Sequence, residues 1–452
     1  MKLLRFFRPV PYKEEIQDPE IIKKNYSYWR IRTFLGMYVG YAFFYFTRKS
    51  FNYAMPALQA DLGLGKLEIG ILGSTLSIAY GASKFLSGIL GDKSNPRYFM
   101  SIGLILTGVF NFCFGMSSAL WALALFWGLN GWFQGWGWPG CAKLLTHWYS
   151  QSERGRWWGI WNTSHNLGGA LPLLGAYVAQ YMGWRYAMYL PGIVCILVGF
   201  YIMSRLRDTP QSLGLPPIEK FRNDYGNSSR EKEKSELSTK DILVKYVLRN
   251  KYIWVLAFAY FFVYIIRTAL DWSILYLVEV KGYSNFKAGA CYFLFEIGGA
   301  FGGITAGWTS DLIFRGKRNP VNVLFSLAIV FLILGYQAFT QANPLIDGAF
   351  LFLFGFFIFG PQMLIGMATA ELSHKKAAAT ATGFAGFFAY CLGAACAGAP
   401  LGLVIKHAGW NAFYMTLMGC ALCAALLLIP LWSIKTYPKE KLPVEPQPAP
   451  EA

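Results

Sequence analysis

Twelve long apolar segments constrain this chain more than any other feature of its sequence. Each has enough residues to cross about 30 Å of hydrocarbon as an α-helix. Only 14% of all residues are charged, against about 25% in soluble proteins. The sequence therefore predicts an all-α membrane protein with twelve transmembrane helices. They lie near residues 34–58, 69–91, 98–117, 119–147, 157–181, 185–205, 252–279, 287–310, 321–341, 345–371, 376–406 and 410–434.

Lysine and arginine are concentrated in alternate loops. The opposite loops hold only Lys66, Arg185, Lys281, Lys287 and Lys406. By the positive-inside rule, both termini are then cytoplasmic. The net charge of +17 therefore reflects membrane topology and not a nucleic-acid partner. The polar and basic first 30 residues have no apolar core followed by a cleavage site, so we expect no signal peptide.

One long hydrophilic stretch, residues 206–250, divides the chain into two halves of six helices. Pro210, Pro216 and Pro217 end the sixth helix, and the Glu/Lys/Ser run that follows has too few apolar residues for a core. The predicted organisation is a cytoplasmic N-terminal segment, two six-helix bundles joined by a cytoplasmic linker, and a cytoplasmic tail. These parts are residues 1–33, 34–205, 206–251, 252–435 and 436–452.

The two halves are repeats of each other. Tyr45 and Arg48 recur 219 residues later as Tyr264 and Arg267, and Asp92 recurs at the same offset as Asp311. Such duplication predicts pseudosymmetric bundles related by an axis along the membrane normal, with a ligand site at mid-depth between them.

Arg48 and Arg267 are the strongest candidates for that site. A guanidinium at mid-membrane depth costs roughly 2.5 to 3.5 kcal/mol, so two at matched positions indicate function. A guanidinium fork matches phosphate oxygens, and Lys84 adds a movable charge. Two alternatives stay open: Lys84 extends to the cytoplasmic face, or an arginine pairs with an intramembrane acid such as Asp271 or Glu296.

Polar and aromatic side chains in the same helices are candidates for the rest of the cavity. His165 lies deep within a helix, where it either senses the charge of a bound phosphate or is a hydrogen-bonded core residue. The aromatic side chains serve equally well as packing. The candidates besides His165 are Tyr41, Tyr45, Gln134, Trp138, Asn162, Asn166, Tyr264 and Tyr390.

The loops after the second and eighth helices, SGILGDKSNPR and AGWTSDLIFRGKR, have matching charges. An acid at a helix end can pair with basic groups and latch one face closed, which predicts roles for Asp92 with Arg97 and for Asp311 with Arg315. A solvated turn is the alternative. The eight cysteines lie in apolar segments without metal-ligand spacing, so we expect no metal and no cofactor.

Several motifs together resemble the organophosphate:inorganic phosphate antiporters of the major facilitator superfamily, in particular the hexose-phosphate transporter branch. The resemblance covers nearly the whole chain, and its motifs are far more specific than a generic facilitator loop. They include GYAFFYFTRKSF, SIAYGASKFLSG, WFQGWGWPGCAKLLTHWYSQSERG, WNTSHNLGG, RDTPQSLGLPPIE and MLIGMATAELSHKKAAATATGFAGFFAY.

The resemblance implies that Arg48, Arg267 and Lys84 bind phosphate, that His165 matches a histidine of the glycerol-3-phosphate branch, and that the aromatic candidates line the cavity. Phe359 replaces a tyrosine of that branch, and Gln362 stands where it is apolar. Both departures favour a polyhydroxyl sugar phosphate over glycerol 3-phosphate.

The implied activity is exchange of a hexose 6-phosphate, foremost glucose 6-phosphate, for inorganic phosphate by alternating access in a bacterial inner membrane. The expected protein is a monomer and not an enzyme. The alternatives are a membrane sensor of hexose phosphate and a glycerol-3-phosphate:phosphate antiporter. A membrane-bound phosphatase using His165 or His147 is disfavoured, because neither histidine has an acid/base or metal cluster beside it in the sequence.

Overall fold

The structure is a computed structural model, and it describes residues 7–92, 94–224, 244, 247–339, 341–373 and 378–434. Helices joined by short turns make up the described chain, and no strand occurs within these ranges. The predicted all-α architecture of twelve spans is confirmed. The predicted tail, 436–452, and part of the linker lie outside the described residues.

The first six spans form one bundle. The fourth and fifth are broken into shorter helices, and the others are continuous. In chain order the six spans are Pro19–Leu62; Lys66–Asp92; Pro96–Met116; Leu120–Gln134 with Gly137–Trp148; Gln151–Asn162 with Ser164–Ala170 and Leu173–Tyr181; and Trp184–Arg205.

The last six spans form the second bundle. The seventh has a 3₁₀ turn at Leu270–Trp272, and the eighth and eleventh contain π-helical turns at Thr309–Ile313 and Phe388–Ala394. The twelfth follows a reversal at Gly409, where φ is 75°. The helices are Lys251–Ala269 with Ser273–Glu279; Asn285–Trp308; Asn319–Ala338; Pro344–Glu371; Ala378–Phe387; and Ala399–Leu428, which completes the eleventh span and contains the twelfth.

Seven of the described helices are long and apolar enough on their own to cross a membrane. One of these, Thr380–Leu431, reverses at Gly409 and supplies two spans. The remaining four spans are the two broken ones and the first two, which carry Arg48, Lys49 and Lys84 within their apolar stretches. All four spans that are not long and apolar enough on their own therefore belong to the first bundle.

The first helix begins at Pro19, well before the predicted apolar segment at residue 34. Asp18 caps it by accepting from the amides of Glu20 and Ile21. The extension is stable because the start of the linker packs against it: the Tyr26 hydroxyl donates to the carbonyl of Pro216, and its ring stacks on Phe221 at 4.0 Å. We call the membrane face that carries residues 206–224 the linker face, and the other the opposite face.

The two bundles are joined toward the opposite face. Ser74 of the second span donates to the carbonyl of Ala395 at 2.6 Å and accepts from the amide of Ala399 at 2.8 Å. At the rim, Lys66 forms an ion pair with Glu279. Asn285 donates to the carbonyl of Tyr53 at 3.0 Å. These bonds close the opposite face over the centre of the molecule.

Glycines set the closest helix contact, between the eighth and tenth spans. A Cβ on Gly302 would lie 1.9 Å from the carbonyl oxygen of Phe356, and one on Gly298 would lie 2.0 Å from that of Phe352. Association of helices in a membrane depends on such close packing because lipid is as apolar as the side chains.

Neighbouring glycines of the eighth span provide a matched test of this packing. Gly302→Ala should lower the stability by about 1 to 3 kcal/mol, because the methyl group forces two backbones apart. A Cβ on Gly303 meets nothing within 4 Å, so Gly303→Ala should be neutral or slightly stabilising. Thermal unfolding of both variants in detergent, followed by tryptophan fluorescence, measures the difference. Equal midpoints would contradict the packing described here.

Candidate functional site

A cavity of about 110 Å³ lies at mid-depth between the bundles and extends toward the opposite face. The first and second spans line one side, and the seventh, tenth and eleventh line the other. Its polar lining is Tyr45, Arg48, Lys49, Asn52, Ser77, Tyr80, Tyr264, Arg267, Thr268, Asp271, Gln362 and Tyr390, and its apolar lining includes Met55, Ile69, Leu76, Trp127 and Trp272.

Arg48 faces this cavity without a carboxylate partner among the described residues. Its Nε donates to Gln134 Oε1 at 2.5 Å. Its guanidinium lies over the rings of Tyr80, at 4.0 Å, and Tyr45, at 4.6 Å. Ring faces attract a cation but do not neutralise it. The positive charge of Arg48 is therefore available to an anion.

Arg267 faces the same cavity from the second bundle, but it is already paired. Its Nη atoms lie 3.4 Å from Asp271 Oδ1 and 3.4 Å from Glu296 Oε1. The guanidinium also stacks over Phe359 at 4.5 Å. Its Nε is buried without a hydrogen-bond partner. The alternative of an intramembrane acid thus applies to Arg267 and not to Arg48.

Lys49 joins the bundles at the cavity wall, a role that the sequence analysis did not identify. Its Nζ lies 2.6 Å from Asp271 Oδ1, 3.7 Å from Glu296 Oε1 and 3.1 Å from the Tyr292 hydroxyl. The sequence feature that could have indicated this role is a second cation directly after Arg48 in an apolar segment. Because Lys49 belongs to the first bundle and both acids to the second, these contacts hold the bundles together.

Lys84 lies beside the cavity rather than in its lining. Its Nζ is 4.5 Å from the ring centre of Tyr390 in the second bundle and 5.1 Å from that of Trp138. The side chain therefore points toward the space between the bundles. No described carboxylate lies within ion-pair distance of it.

The charges of the site do not cancel. Arg48, Lys49, Lys84 and Arg267 are cations, whereas Asp271 and Glu296 are the anions among the described residues that contact them. Two positive charges are left uncompensated in an environment of low dielectric constant. Such an arrangement attracts an anion with two negative charges.

Uncharged polar groups complete the cavity. The Nδ2 of Asn52 and the Oε1 of Gln362 are buried without a hydrogen-bond partner in the described structure, and both side chains line the cavity. Buried polar groups are normally satisfied, so these two are suited to a ligand that both accepts and donates. The Tyr264 hydroxyl donates to the Tyr390 hydroxyl at 2.8 Å, which ties the seventh span to the eleventh.

His165 lies behind the cavity wall and not in it. Its Nδ1 is 2.6 Å from the carbonyl of Asn162, and its ring packs edge-on against Tyr41 at 4.9 Å and Tyr45 at 4.8 Å. This position matches the alternative of a hydrogen-bonded core residue. Asn166, one residue later, instead contacts the second bundle by donating to the carbonyl of Glu296 at 3.0 Å.

The loops proposed as latches make different contacts from those expected. Asp311 pairs with Arg318, which also bonds to Glu371 at 3.1 Å, whereas Arg315 lies in a left-handed turn with φ of 54°. Arg97 Nε donates to the carbonyl of Met203 at 2.6 Å. The side chain of Asp92 lies outside the described residues.

The chain matches a known protein family and several known proteins. A model of the Major Facilitator Superfamily matches residues 37–398. A Chlamydia muridarum protein named "Probable hexose phosphate transport protein" is 57% identical over 441 residues, which cover 95% of this chain and 96% of that protein. The "Membrane sensor protein UhpC" of Escherichia coli is 48% identical over 425 residues, with 94% and 96% covered.

The fold is also similar to a solved structure. A bacterial homologue of the human lysosomal transporter Spinster, crystallised in an inward-facing and unoccupied conformation, superposes with a TM-score of 0.67. The match covers 89% of this chain and 95% of the other, at 15% sequence identity. At that identity the likeness concerns the fold alone.

Removing Lys49 tests the ion pairs at the cavity wall. Lys49→Gln leaves two buried carboxylates sharing one cation, so it should destabilise the protein by about 3 to 5 kcal/mol. The double variant Lys49→Gln/Glu296→Gln restores the balance and should recover much of that loss. Lys66→Gln breaks the pair with Glu279 at the more exposed rim and should cost about 1 kcal/mol or less. Unfolding midpoints in detergent report all three, and equal losses for both lysines would contradict the assignment.

Proposed function

The chain belongs to the major facilitator superfamily and, within it, to the hexose-phosphate transporter branch, and from this premise we propose that it exchanges a hexose 6-phosphate for inorganic phosphate. Glucose 6-phosphate is the foremost substrate of the proposal. Transport, and not enzymatic catalysis, is the activity of this family.

The observation that carries the proposal is the pair of uncompensated positive charges at the cavity, on Arg48 and Lys84. A phosphate monoester carries a charge of about −1.5 to −2 at pH 7. One such group therefore neutralises the site almost fully. Inorganic phosphate has nearly the same charge, so both substrates fit the same cations.

The uncharged lining of the cavity supports a sugar as the second part of the proposed substrate. Asn52 and Gln362 offer an unpartnered donor and an unpartnered acceptor, and Ser77 and Thr268 add hydroxyls. A hexose presents several hydroxyls that both donate and accept. Glycerol 3-phosphate has only two, so it would leave more of these buried groups unsatisfied.

The small size of the cavity supports a mechanism in which the two bundles move relative to each other. At about 110 Å³ it is smaller than the roughly 300 to 1,000 Å³ of ordinary ligand pockets. The contacts of Ser74, Asn285 and Lys66 close the opposite face. Passage of a hexose phosphate through the opposite face therefore requires the bundles to change their relative position, which supports alternating access.

The ion pairs suggest how the substrate drives this change. Phosphate oxygens held between Arg48 and Arg267 would compete with Asp271 and Glu296 for the Arg267 guanidinium. An empty site retains two uncompensated cations, which oppose closure, whereas a bound dianion removes that penalty. The empty carrier then returns slowly, and exchange is favoured over net transport.

The distribution of charge supports an orientation of the protein in the membrane, and its relatives support a location. The concentration of Lys and Arg on the linker face supports a cytoplasmic position of that face and of both termini under the positive-inside rule. The bacterial relatives support an inner-membrane location. We propose that the protein works as a monomer, because each chain brings both bundles to its own cavity.

A second candidate function is sensing of hexose phosphate. The Escherichia coli relative, named a membrane sensor protein, is 48% identical over most of its length. A sensor needs the same binding site but no exchange. Binding of glucose 6-phosphate, seen as thermal stabilisation of the purified protein, without any uptake would favour the sensor.

Obligatory exchange is tested in proteoliposomes. Vesicles loaded with phosphate should take up labelled glucose 6-phosphate, and unlabelled phosphate or glycerol 3-phosphate outside should compete according to affinity. Vesicles without internal phosphate should take up much less, because the empty carrier has no counter-substrate. Similar rates in both vesicles would refute exchange.

The geometry of the phosphate contact is tested at Arg48. Arg48→Lys keeps the charge but loses the fork, so exchange should fall roughly ten- to hundredfold, as expected for a lost hydrogen bond to a charged group. Arg222→Lys is the matched control, since Arg222 pairs with Glu153 at 3.5 Å on the linker face. Unimpaired exchange by Arg48→Lys would exclude bidentate binding at this position.

A further inference from the structure

Three arginines meet at the linker-face end of the first bundle, far from the cavity. Arg32 belongs to the first span, Arg97 to the start of the third, and Arg207 follows the sixth, which packs on both. Burial and then the positive charges of Arg97 and Arg32 lower the pKa of Arg207. Arg207 is therefore near both of the others, and the ring centre of Trp29 lies 5.5 Å from the Arg32 guanidinium and 4.3 Å from that of Arg207.

No carboxylate among the described residues pairs with any of the three. Arg97 donates to the carbonyl of Met203, and Arg207 donates to those of Ser204 and Leu206. Arg32 contacts the Tyr28 hydroxyl, and its Nε is buried without a partner. By contrast, Arg30, Arg222 and Arg318 are each paired with an acid.

Asp208, the acid nearest in sequence, points away from the cluster. It pairs with Lys143 at 3.2 Å and accepts from the amide of Val10 at 3.0 Å. Concentrated positive charge without a counter-charge among the described residues is unfavourable, so the cluster is suited to an external anion.

Lipid-facing aromatic and aliphatic side chains lead to the cluster. Ile31 and Leu35 of the first span are 59% and 51% exposed, and Phe200 of the sixth is 58% exposed. On the first span, two residues before Ile31, the indole of Trp29 lies under the Arg207 guanidinium at 4.3 Å. Tryptophan at the end of an apolar helix face marks the headgroup layer of a membrane.

We propose that Arg32, Arg97 and Arg207 form a binding site for the phosphodiester headgroup of an anionic phospholipid. The acyl chains would lie along the exposed faces of the first and sixth spans, and Trp29 would pack beside the glycerol backbone. Arginine forks suit phosphate oxygens, and a lipid with two phosphodiesters engages more of them than a lipid with one. Cardiolipin should therefore bind more tightly than phosphatidylglycerol, and phosphatidylcholine weakly.

Native mass spectrometry of the purified protein with added lipid tests this proposal. Each arginine near a headgroup contributes roughly fivefold in affinity, so Arg32→Gln/Arg97→Gln/Arg207→Gln should bind cardiolipin about a hundredfold more weakly. Arg222→Gln, which removes a charge from the same face, should bind like the wild type. Inorganic phosphate at millimolar concentration should not displace the lipid, because it lacks acyl chains.

Two outcomes would overturn the proposal: equal cardiolipin retention by the wild type and the triple glutamine variant, or displacement by free phosphate. If the triple variant does not give a monodisperse protein, the single variant Arg207→Gln tests the proposal, with an expected loss of cardiolipin affinity of roughly fivefold. The thermal unfolding midpoint of each variant in detergent serves as the check of folding, since it does not depend on transport activity.

Discussion

The structure depends on an unequal distribution of charge at the centre of the membrane. Lys49 and Arg267 share Asp271 and Glu296, which makes a neutral group that joins the two bundles. Arg48 lines the cavity, has no such partner among the described residues and is held by Gln134 and two tyrosine rings. The duplicated arginines thus have different tasks, although their positions match.

This asymmetry gives the centre of the protein a neutral part that joins the bundles and a positively charged part that faces the cavity. A fully neutral centre would hold the bundles together and ignore a phosphate group. A centre with four free cations would not be stable in hydrocarbon, given the cost of each buried charge. Two compensated and two uncompensated cations lie between these limits. Around this centre, glycine contacts such as Gly70 against Gly398 let the helices approach closely.

The spans, the two bundles and the central arginines could be predicted from the sequence because hydropathy and duplication are properties of residue order. The partners of the charges could not. Lys49 is adjacent to Arg48, and only the rotation of the helix decides which of them is free toward the cavity and which pairs with the other bundle. In a span that is apolar all around, no periodicity reveals that rotation. The same holds for His165, which lies behind Tyr45, and for Arg318, which replaces Arg315 as the partner of Asp311.

The docking of the early linker onto the first helix changes what connects the two halves. Residues up to Arg222 follow the first bundle as one body, since Tyr26 binds Pro216 and Phe221, Asp208 binds Lys143, and Lys220 binds Glu15. The linker is also anchored on the second bundle, since Val247 is buried against Ile253 and Ala381, and Asn250 donates to the carbonyl of Leu372 at 3.1 Å. Its two anchor points, and not the ends of the sixth and seventh spans, define the hinge geometry for any rocking of one half against the other.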